Sequence, residues 1–316
     1  MISNQEKNFI SAVVYIHNNA QLVRTFLETL HGTLSKNFEK YEIICVNDCS
    51  GDDSEEIIKN TAKELDSVAL SIINMGYYQG MEASINAGVD LAIGDFVFEF
   101  ENCIIDYEPQ LIMDMYYHSL KGFDIVAASN HHSRKTSRLF YWLFNANSHM
   151  QYKLATETFR LLSRRAINRT RAVSRSLPYR KAIYASCGLK ADTIGYVSIN
   201  TGKKNSDFQH KTYHKERMDI SMKALILFTD ITYKFAFGMT LLMMAAALFS
   251  LIYTVIVFLS GNPVPGFTTT MLVLTGSFFG VFAILAIIIK YLSVLVNLVF
   301  TTRQYTIESI VKLSQC

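Results

Sequence analysis

The stretch Gly94–Pro109, GDFVFEFENCIIDYEP, is an apolar run that ends in acidic groups. Its carboxylates are Glu99, Glu101 and Asp106, with Cys103 where a second closely spaced carboxylate would be most useful. Acidic residues at the end of a buried strand are a common way for an α/β enzyme to present a metal or a substrate. Two more polar clusters follow apolar β-type runs in the same manner. His17–Asn19 follows FISAVVYIH, and Asn47–Ser50 follows YEIICV. Three polar loops at three strand ends imply one composite site.

The elements that must carry these loops are legible from periodicity. Phe9–His17, Tyr41–Val46, Val68–Ile73 and Phe96–Phe100 are β-type runs. Between them, Leu22, Val23, Phe26, Leu27 and Leu30 recur at helical spacing behind Asn18 or Asn19, either of which can cap that helix. Ser54 opens a second helix with Ile57, Ile58 and Leu65 on one side, and Gly80–Ile93 reads as a third. Strands alternating with helices predict an α/β fold with a mostly parallel sheet covered on both faces. Ligands then bind beyond the carboxyl ends of the strands. Past Phe123 the pattern loosens: Asp124–Ala128 is a further candidate strand and Ser137–Phe144 a candidate helix.

The chain has 316 residues, half of them hydrophobic, with a mean hydropathy of +0.18. That excess is localised. Residues 235–259 and 267–289 carry no charge, and roughly 20 apolar residues suffice to cross a bilayer core, so both are expected to span a membrane. Lys203, Lys204, Lys211, Lys215, Arg217, Lys223 and Lys234 precede the first run; Lys290, Arg303 and Lys312 follow the second. The excess of basic residues puts both termini in the cytoplasm and the linker 260–266 outside. Residues 216–234 are expected to form a juxtamembrane interfacial helix. The polar start MISNQEKNF argues against a signal peptide. The expected organisation is a cytosolic domain over 1–215, the interfacial helix, and a two-span region with a cytoplasmic tail over 235–316.

Net charge is only +3, yet residues 159–191 contain nine basic residues and no acidic one. Beside two membrane spans, this patch is read as meeting phosphorylated substrates or anionic headgroups rather than nucleic acid. The five cysteines form no CxxC pair, and with a cytoplasmic body they read as free thiols. The sequence leaves oligomeric state open, a homo-oligomer included.

Taken in order, these segments resemble glycosyltransferase family 2, in particular its polyprenyl-phosphate branch of dolichol-phosphate mannosyltransferases and bactoprenol glucosyltransferases. SAVVYIHNN is similar to that family's first strand and Tyr-Asn-Glu turn, and YEIICVNDCSGDDS to its Val-Asp-Asp-Gly-Ser loop. NMGYYQGMEASINAGVDLAIGD resembles its Asn-x-Gly helix entry leading to Ala-x-Gly-Asp. TFRLLSRRAI looks like its Asp-Phe-Arg-Leu-hydrophobic-Ser-Arg-Arg segment, and residues 263–308 like its second span and tail. The resemblance extends from about residue 8 to 310 and implies a GT-A fold. It also implies a nucleotide-sugar donor and transfer to a polyprenyl (undecaprenyl) phosphate at the inner (plasma) membrane, by a multi-pass protein serving cell-surface polysaccharide synthesis.

The resemblance also assigns roles. Asp48 corresponds to a nucleotide contact, and Asn47 replaces the family's first Asp of that loop. Asn18 matches the first turn, where His17 and Asn19 replace Tyr and Glu. Gly76 permits a tight turn or a positive φ and close approach to the nucleotide. Arg134, Arg138 and Arg160 correspond to cationic positions near the diphosphate or acceptor, although Thr158 stands where the family has the Asp before Arg160. The family's Asp-x-Asp falls on Glu101-Asn102-Cys103. A Mg2+ or Mn2+ ion is implied there, but thiol sulfur is a poor ligand for either. Three arrangements are open: Glu99 and Glu101 pair on one strand face, Asp106 folds back, or metal binds weakly and the arginines carry the charge. A phosphate acceptor is largely ionised at neutral pH and needs no strong base, whereas transfer to a lipid-linked sugar hydroxyl would need one, with Asp106 the candidate. A catalytically silent scaffold is the remaining alternative.

Overall fold

The computed structural model describes residues 5–65, 69–130, 157–173, 180–199 and 307–312, with scattered positions in 142–146 and 239–291. Arg134, Arg138, all of the expected helix 137–144 but Trp142 and Phe144, and the juxtamembrane helix lie outside these residues, as do nearly all positions of the two expected spans. Among the described residues no helix is long and apolar enough to cross a membrane. The chain divides into two compact units, one of residues 1–221 with 302–316, the other of residues 222–301.

The first unit is an α/β structure around one eight-stranded sheet. Its strands are β1 (Ile10–Ile16), β2 (Tyr41–Asn47), β3 (Ala69–Met75), β4 (Phe96–Phe100), β5 (Ile125–Asn130), β6 (Glu157–Ser163), β7 (Ala191–Tyr196) and β8 (Ile307–Lys312). The order across the sheet is β7-β5-β6-β4-β1-β2-β3-β8. The β3-β2-β1-β4 half is parallel; β6 runs antiparallel to both β4 and β5, and β7 lies parallel to β5. Strand order reverses at β1, whose neighbours are β2 and β4, so the crevice at their carboxyl ends is the expected ligand site.

Helices cover both faces, as continuous apolar strands require. On one face α1 (Ala20–Asn37), α2 (Ser54–Glu64) and α4 (Gln110–Leu120) bury Phe26, Leu27, Ile58, Leu111 and Tyr116 against Ile10, Ala12, Phe98 and Phe100. On the other, α3 (Met81–Leu91), α5 (Arg164–Val173) and α6 (Arg180–Ser186) bury Ile85, Val89, Ile167 and Tyr184 against Val13, Ile44, Val97 and Leu162. β4 shows why one sequence serves both: Phe96, Phe98 and Phe100 point to the first face, Val97 and Glu99 to the second.

Three details differ from the sequence reading. The start of α1 is capped from a distance: the Asn19 amide donates to Ser54 Oγ at 2.9 Å and that of Ala20 to Asp52 at 3.0 Å, while Asn19 makes no side-chain cap. The positive φ of the loop after β3 lies at Gly80, at 83°, and not at Gly76. And residues 307–312, expected in a tail, form a strand antiparallel to β3.

Gly94 fixes where β4 enters the sheet. Its amide donates to Ser11 Oγ at 2.8 Å, and the next amide, Asp95, donates to the Phe9 carbonyl at 2.7 Å. A Cβ at Gly94 would stand 2.6 Å from the Ser11 amide nitrogen and 2.8 Å from the Phe9 oxygen, both backbone atoms that cannot swing away. Gly94→Ala is therefore expected to destabilise the first unit by about 1–3 kcal/mol, read as a lowered urea midpoint with an unchanged slope.

Candidate active site

All polar loops singled out in the sequence lie at one edge of the sheet. At the ends of β1, β2 and β3 they bond chiefly to each other. Asp48 is fully buried; its carboxylate accepts from the Gln79 amide (2.9 Å), the Gly80 amide (2.8 Å) and Tyr15 Oη (3.2 Å). It thereby holds the loop that leads into α3. Asn47 Nδ2 donates to Asn74 Oδ1 at 3.0 Å, and its Oδ1 accepts the Ser50 amide at 3.2 Å, so the replacement of an acid by an amide lets this residue both donate and accept. His17 Nδ1 lies 2.7 Å from the Asp48 carbonyl, and its ring meets that of Tyr78 at 4.6 Å. Asn18 Oδ1 accepts the Gly51 amide at 2.8 Å. Asn18 (φ 53°) and Cys49 (φ 51°) both occupy the left-handed region, at a cost of about 1–2 kcal/mol each by general stereochemistry. Cys49 stands at the glycine position of the resembled loop, which accounts for a glycine there. Strain of this kind is characteristic of functional loops. Tyr77 and Tyr78 are exposed beside this edge.

The acidic end of β4 is built differently. Glu99 pairs in register with Arg160 on β6. Arg160 is enclosed by three carboxylates: Glu101 Oε1 at 2.7 Å, Glu99 Oε2 at 3.1 Å and Glu157 Oε2 at 3.1 Å. Lys181 Nζ lies 3.2 Å from the same Glu101 oxygen. Tyr184 donates to Glu99 Oε1 at 2.6 Å, and its ring lies 5.3 Å from the Arg160 guanidinium carbon. Arg180 Nε donates to Glu82 at 3.0 Å, and its Nη2 is 3.8 Å from Glu99 Oε2. Glu99, Glu101, Glu157, Arg160, Arg180 and Lys181 are each 5% exposed or less. Burial alone would lower the Arg160 pKa, but Glu157, Glu101 and Glu99 outweigh it and hold the guanidinium firmly charged. Burial, reinforced by Glu99, keeps Tyr184 a protonated donor.

Glu157 enters this cluster through a local irregularity. The β5–β6 register passes from Ala128↔Phe159 to Ser129↔Glu157, leaving Thr158 as an extra residue. Such a bulge re-aims the neighbouring side chain, so Glu157 reaches Arg160 three positions away. Thr158 Oγ1 instead lies 2.7 Å from Tyr196 Oη, which donates to Asp106 Oδ1 at 2.9 Å; Asn130 Nδ2 donates to the other Asp106 oxygen at 3.2 Å. Asp106 is thus a half-buried carboxylate held by two neutral donors.

These contacts do not fit a divalent ion on Glu99 and Glu101. Both Glu99 oxygens and Glu101 Oε1 are already engaged by cations or a phenol, and among the described residues no group of three His, Cys, Asp or Glu side chains could hold a metal. Cys103 gives no help: it is buried in the apolar layer beneath α4, its thiol 3.9 Å from the Tyr15 carbonyl. Sequence reasoning left Glu82, Glu157, Arg180, Lys181, Tyr184 and Tyr196 unassigned. The signal for α6 was slight, a basic pair ahead of an apolar turn in RKAIYA. Arg164, one of the nine basic residues of the 159–191 patch, braces the β4 entrance through the carbonyls of Gly94 and Ala92.

Burial pushes the Cys103 thiol up to about 12, and it raises that of Cys45 as well, whereas Cys49 is exposed. Because the thiolate is the reacting species, brief maleimide treatment of the native protein is expected to modify Cys49 and spare Cys45 and Cys103. Peptide mapping by mass spectrometry checks this, with full labelling after denaturation as the control.

Residues 11–177 match glycosyl transferase family 2. The chain is 25% identical over 194 residues to the uncharacterized glycosyltransferase YkcC of Bacillus subtilis, covering 59% of each protein. It is 27% identical over 199 residues to a prophage bactoprenol glucosyl transferase homolog of Escherichia coli, covering 60% of this chain and 63% of that one. The chain thus spans about three-fifths of the length of these relatives. Among solved structures, a mannosyltransferase of Pyrobaculum calidifontis in complex with GDP-Man and Mn2+ has the same fold. It has a TM-score of 0.50 at 14% identity, over 70% of this chain and 63% of that one. With a family match spanning more than half of its length, this chain belongs to glycosyl transferase family 2.

Proposed function

We propose that this protein is a membrane-anchored transferase that moves a sugar from a nucleotide-sugar to a polyprenyl phosphate. The observation that carries the reading is the single sheet edge on which the nucleotide-type loops of β1, β2 and β3 adjoin a buried cluster of paired arginine, lysine and glutamate side chains at the end of β4. A family-2 domain with that edge is suited to a nucleoside diphosphate leaving group, whose developing charge must be met by positive groups. Asp48 acts as a positioning residue, fixing the β3–α3 loop through two amides, while His17, Asn18 and Tyr78 line the edge beside it. Arg134 and Arg138 keep their proposed place at the diphosphate or acceptor.

The name borne by the bactoprenol glucosyl transferase homolog supports a polyprenyl acceptor. So does the state of Asp106. Its carboxylate is held by Tyr196 and Asn130, an arrangement compatible with an acceptor phosphate that is already ionised. Membrane anchoring draws support from the second unit. Its helical positions Leu242, Phe249, Val281 and Ile288 are each more than half exposed, and a lipid environment would cover them. Two spans over 235–259 and 267–289, with basic residues before the first and after the second, put both flanks in the cytoplasm by the positive-inside rule.

Full-length protein in detergent micelles, given undecaprenyl phosphate and a panel of labelled nucleotide-sugars, is expected to produce a labelled, organic-extractable lipid. Failure with every donor would sink the transferase reading in favour of a silent scaffold. Asp106→Asn should lower kcat by less than about tenfold with the phosphate acceptor; a loss of about a hundredfold or more would mark Asp106 as a general base and point to a sugar-hydroxyl acceptor.

A further inference from the structure

The acidic end of β4 carries more than the absence of a fit for metal. We infer that this site meets the donor diphosphate with resident protein cations, Arg180 and Lys181 backed by Arg160, and takes no divalent ion at Glu99 and Glu101. The inference rests on the transferase reading for its ligand, but its charge argument stands on the cluster alone.

Among the described residues, Glu82, Glu99, Glu101 and Glu157 supply four negative charges and Arg160, Arg180 and Lys181 three positive ones, joined by the contacts described above, so the carboxylates are largely matched without an ion. A divalent ion at Glu101 would stand beside Lys181 and Arg160, both already on its Oε1, placing like charges side by side in a buried site where little water screens them. Mg2+ and Mn2+ also require several oxygen ligands. Glu101 would be the sole acid of its motif to offer any, because the second position is a buried thiol with a raised pKa.

Arg180 supplies the positive side of the argument. Its Nε is spent on Glu82, yet among the described residues Nη1 and Nη2 are buried and make no hydrogen bond, Nη2 standing only in longer ion-pair range of Glu99. Buried donors left unpaired are costly, and each such group calls for a physical reason. Two donors in a rigid planar fork match two oxygens of a phosphate. α6 delivers that fork directly against Glu99, at the strand end where the diphosphate of a family-2 donor is expected. Lys181, the next residue, places a second charge on Glu101.

Two measurements on the full-length protein in micelles test this. The first titrates Mn2+ and follows the free aqua ion by electron paramagnetic resonance. The signal is expected to match the micelle blank, and a stoichiometric loss of free Mn2+ overturns the inference. The second measures binding of UDP, GDP, CDP, ADP and dTDP in EDTA and in Mn2+. The dissociation constant of whichever binds should change by less than about twofold, while a tightening by Mn2+ of about tenfold or more, equal to about 1.4 kcal/mol, again overturns it. In Arg180→Gln/Lys181→Gln, affinity for the diphosphate in EDTA should fall about tenfold or more, while Arg160 and Tyr184 still hold Glu99 and Glu101. An unchanged affinity in the folded double variant overturns the assignment of these two cations. If the double variant does not fold, the two wild-type measurements decide. Should no nucleotide bind in either condition, the transferase reading fails, and the Mn2+ titration still decides whether the acidic strand end takes a metal.

Discussion

One buried guanidinium organises the carboxyl edge of this sheet. Arg160 lies in the interior with three carboxylates within 3.1 Å, so its charge and theirs are buried together and matched. Removing one partner of a buried ion pair typically costs about 3–5 kcal/mol because the remaining charge is stranded. The surrounding elements are accordingly fixed by the need to complete the set. β6 must run antiparallel to β4 to bring Arg160 opposite Glu99. The bulge at Thr158 must be present to turn Glu157 inward. α6 must dock on the same face, because Glu101 and Glu99 receive a cation and a phenol from it.

The other half of the edge follows a different rule. Around Asp48 the partners are mostly backbone amides and neutral side chains, so this half is held by geometry more than by charge. Asp48, Asn47 and Asn18 each bind a segment remote in sequence, joining the loops after β1, β2 and β3 into one rigid lip. A rigid lip of amides beside a charged floor is a sensible division for a ligand with an uncharged base at one end and a diphosphate at the other, since preorganised donors need not reorient when charge develops.

Much of this was readable in advance, and the unreadable part has a common cause. Apolar runs such as ISAVVYI and FVFEF announce strands because a sheet covered on both faces needs continuous apolar residues, and the loops that follow them carry the polar clusters to one edge. Sequence spacing cannot reveal which cation a buried acid selects. Glu101 lies 59 residues from Arg160 and Glu99 lies 85 from Tyr184, and those meetings depend on strand register and helix docking. The bulge that admits Glu157 leaves no mark in ETFRLLS, and the pairing of β8 with β3 joins segments more than 230 residues apart. Glu82, at the start of α3, faces Arg180 of α6, 98 residues away in sequence.

The altered motif becomes coherent once its two positions are seen to face different surroundings. Glu101 turns toward Arg160 and Lys181, where a carboxylate is matched by positive charge. Cys103 sits in the apolar layer with Cys45, Tyr107 and Phe159, where no cation approaches among the described residues. A carboxylate at position 103 would carry its charge into that layer and would need a metal to neutralise it, since an isolated buried charge is very costly. A thiol is small, apolar and uncharged there. Cysteine at 103 and the cations of α6 therefore act in the same direction: the first leaves no charge to neutralise in the apolar layer, and the second meets Glu101 with positive charge.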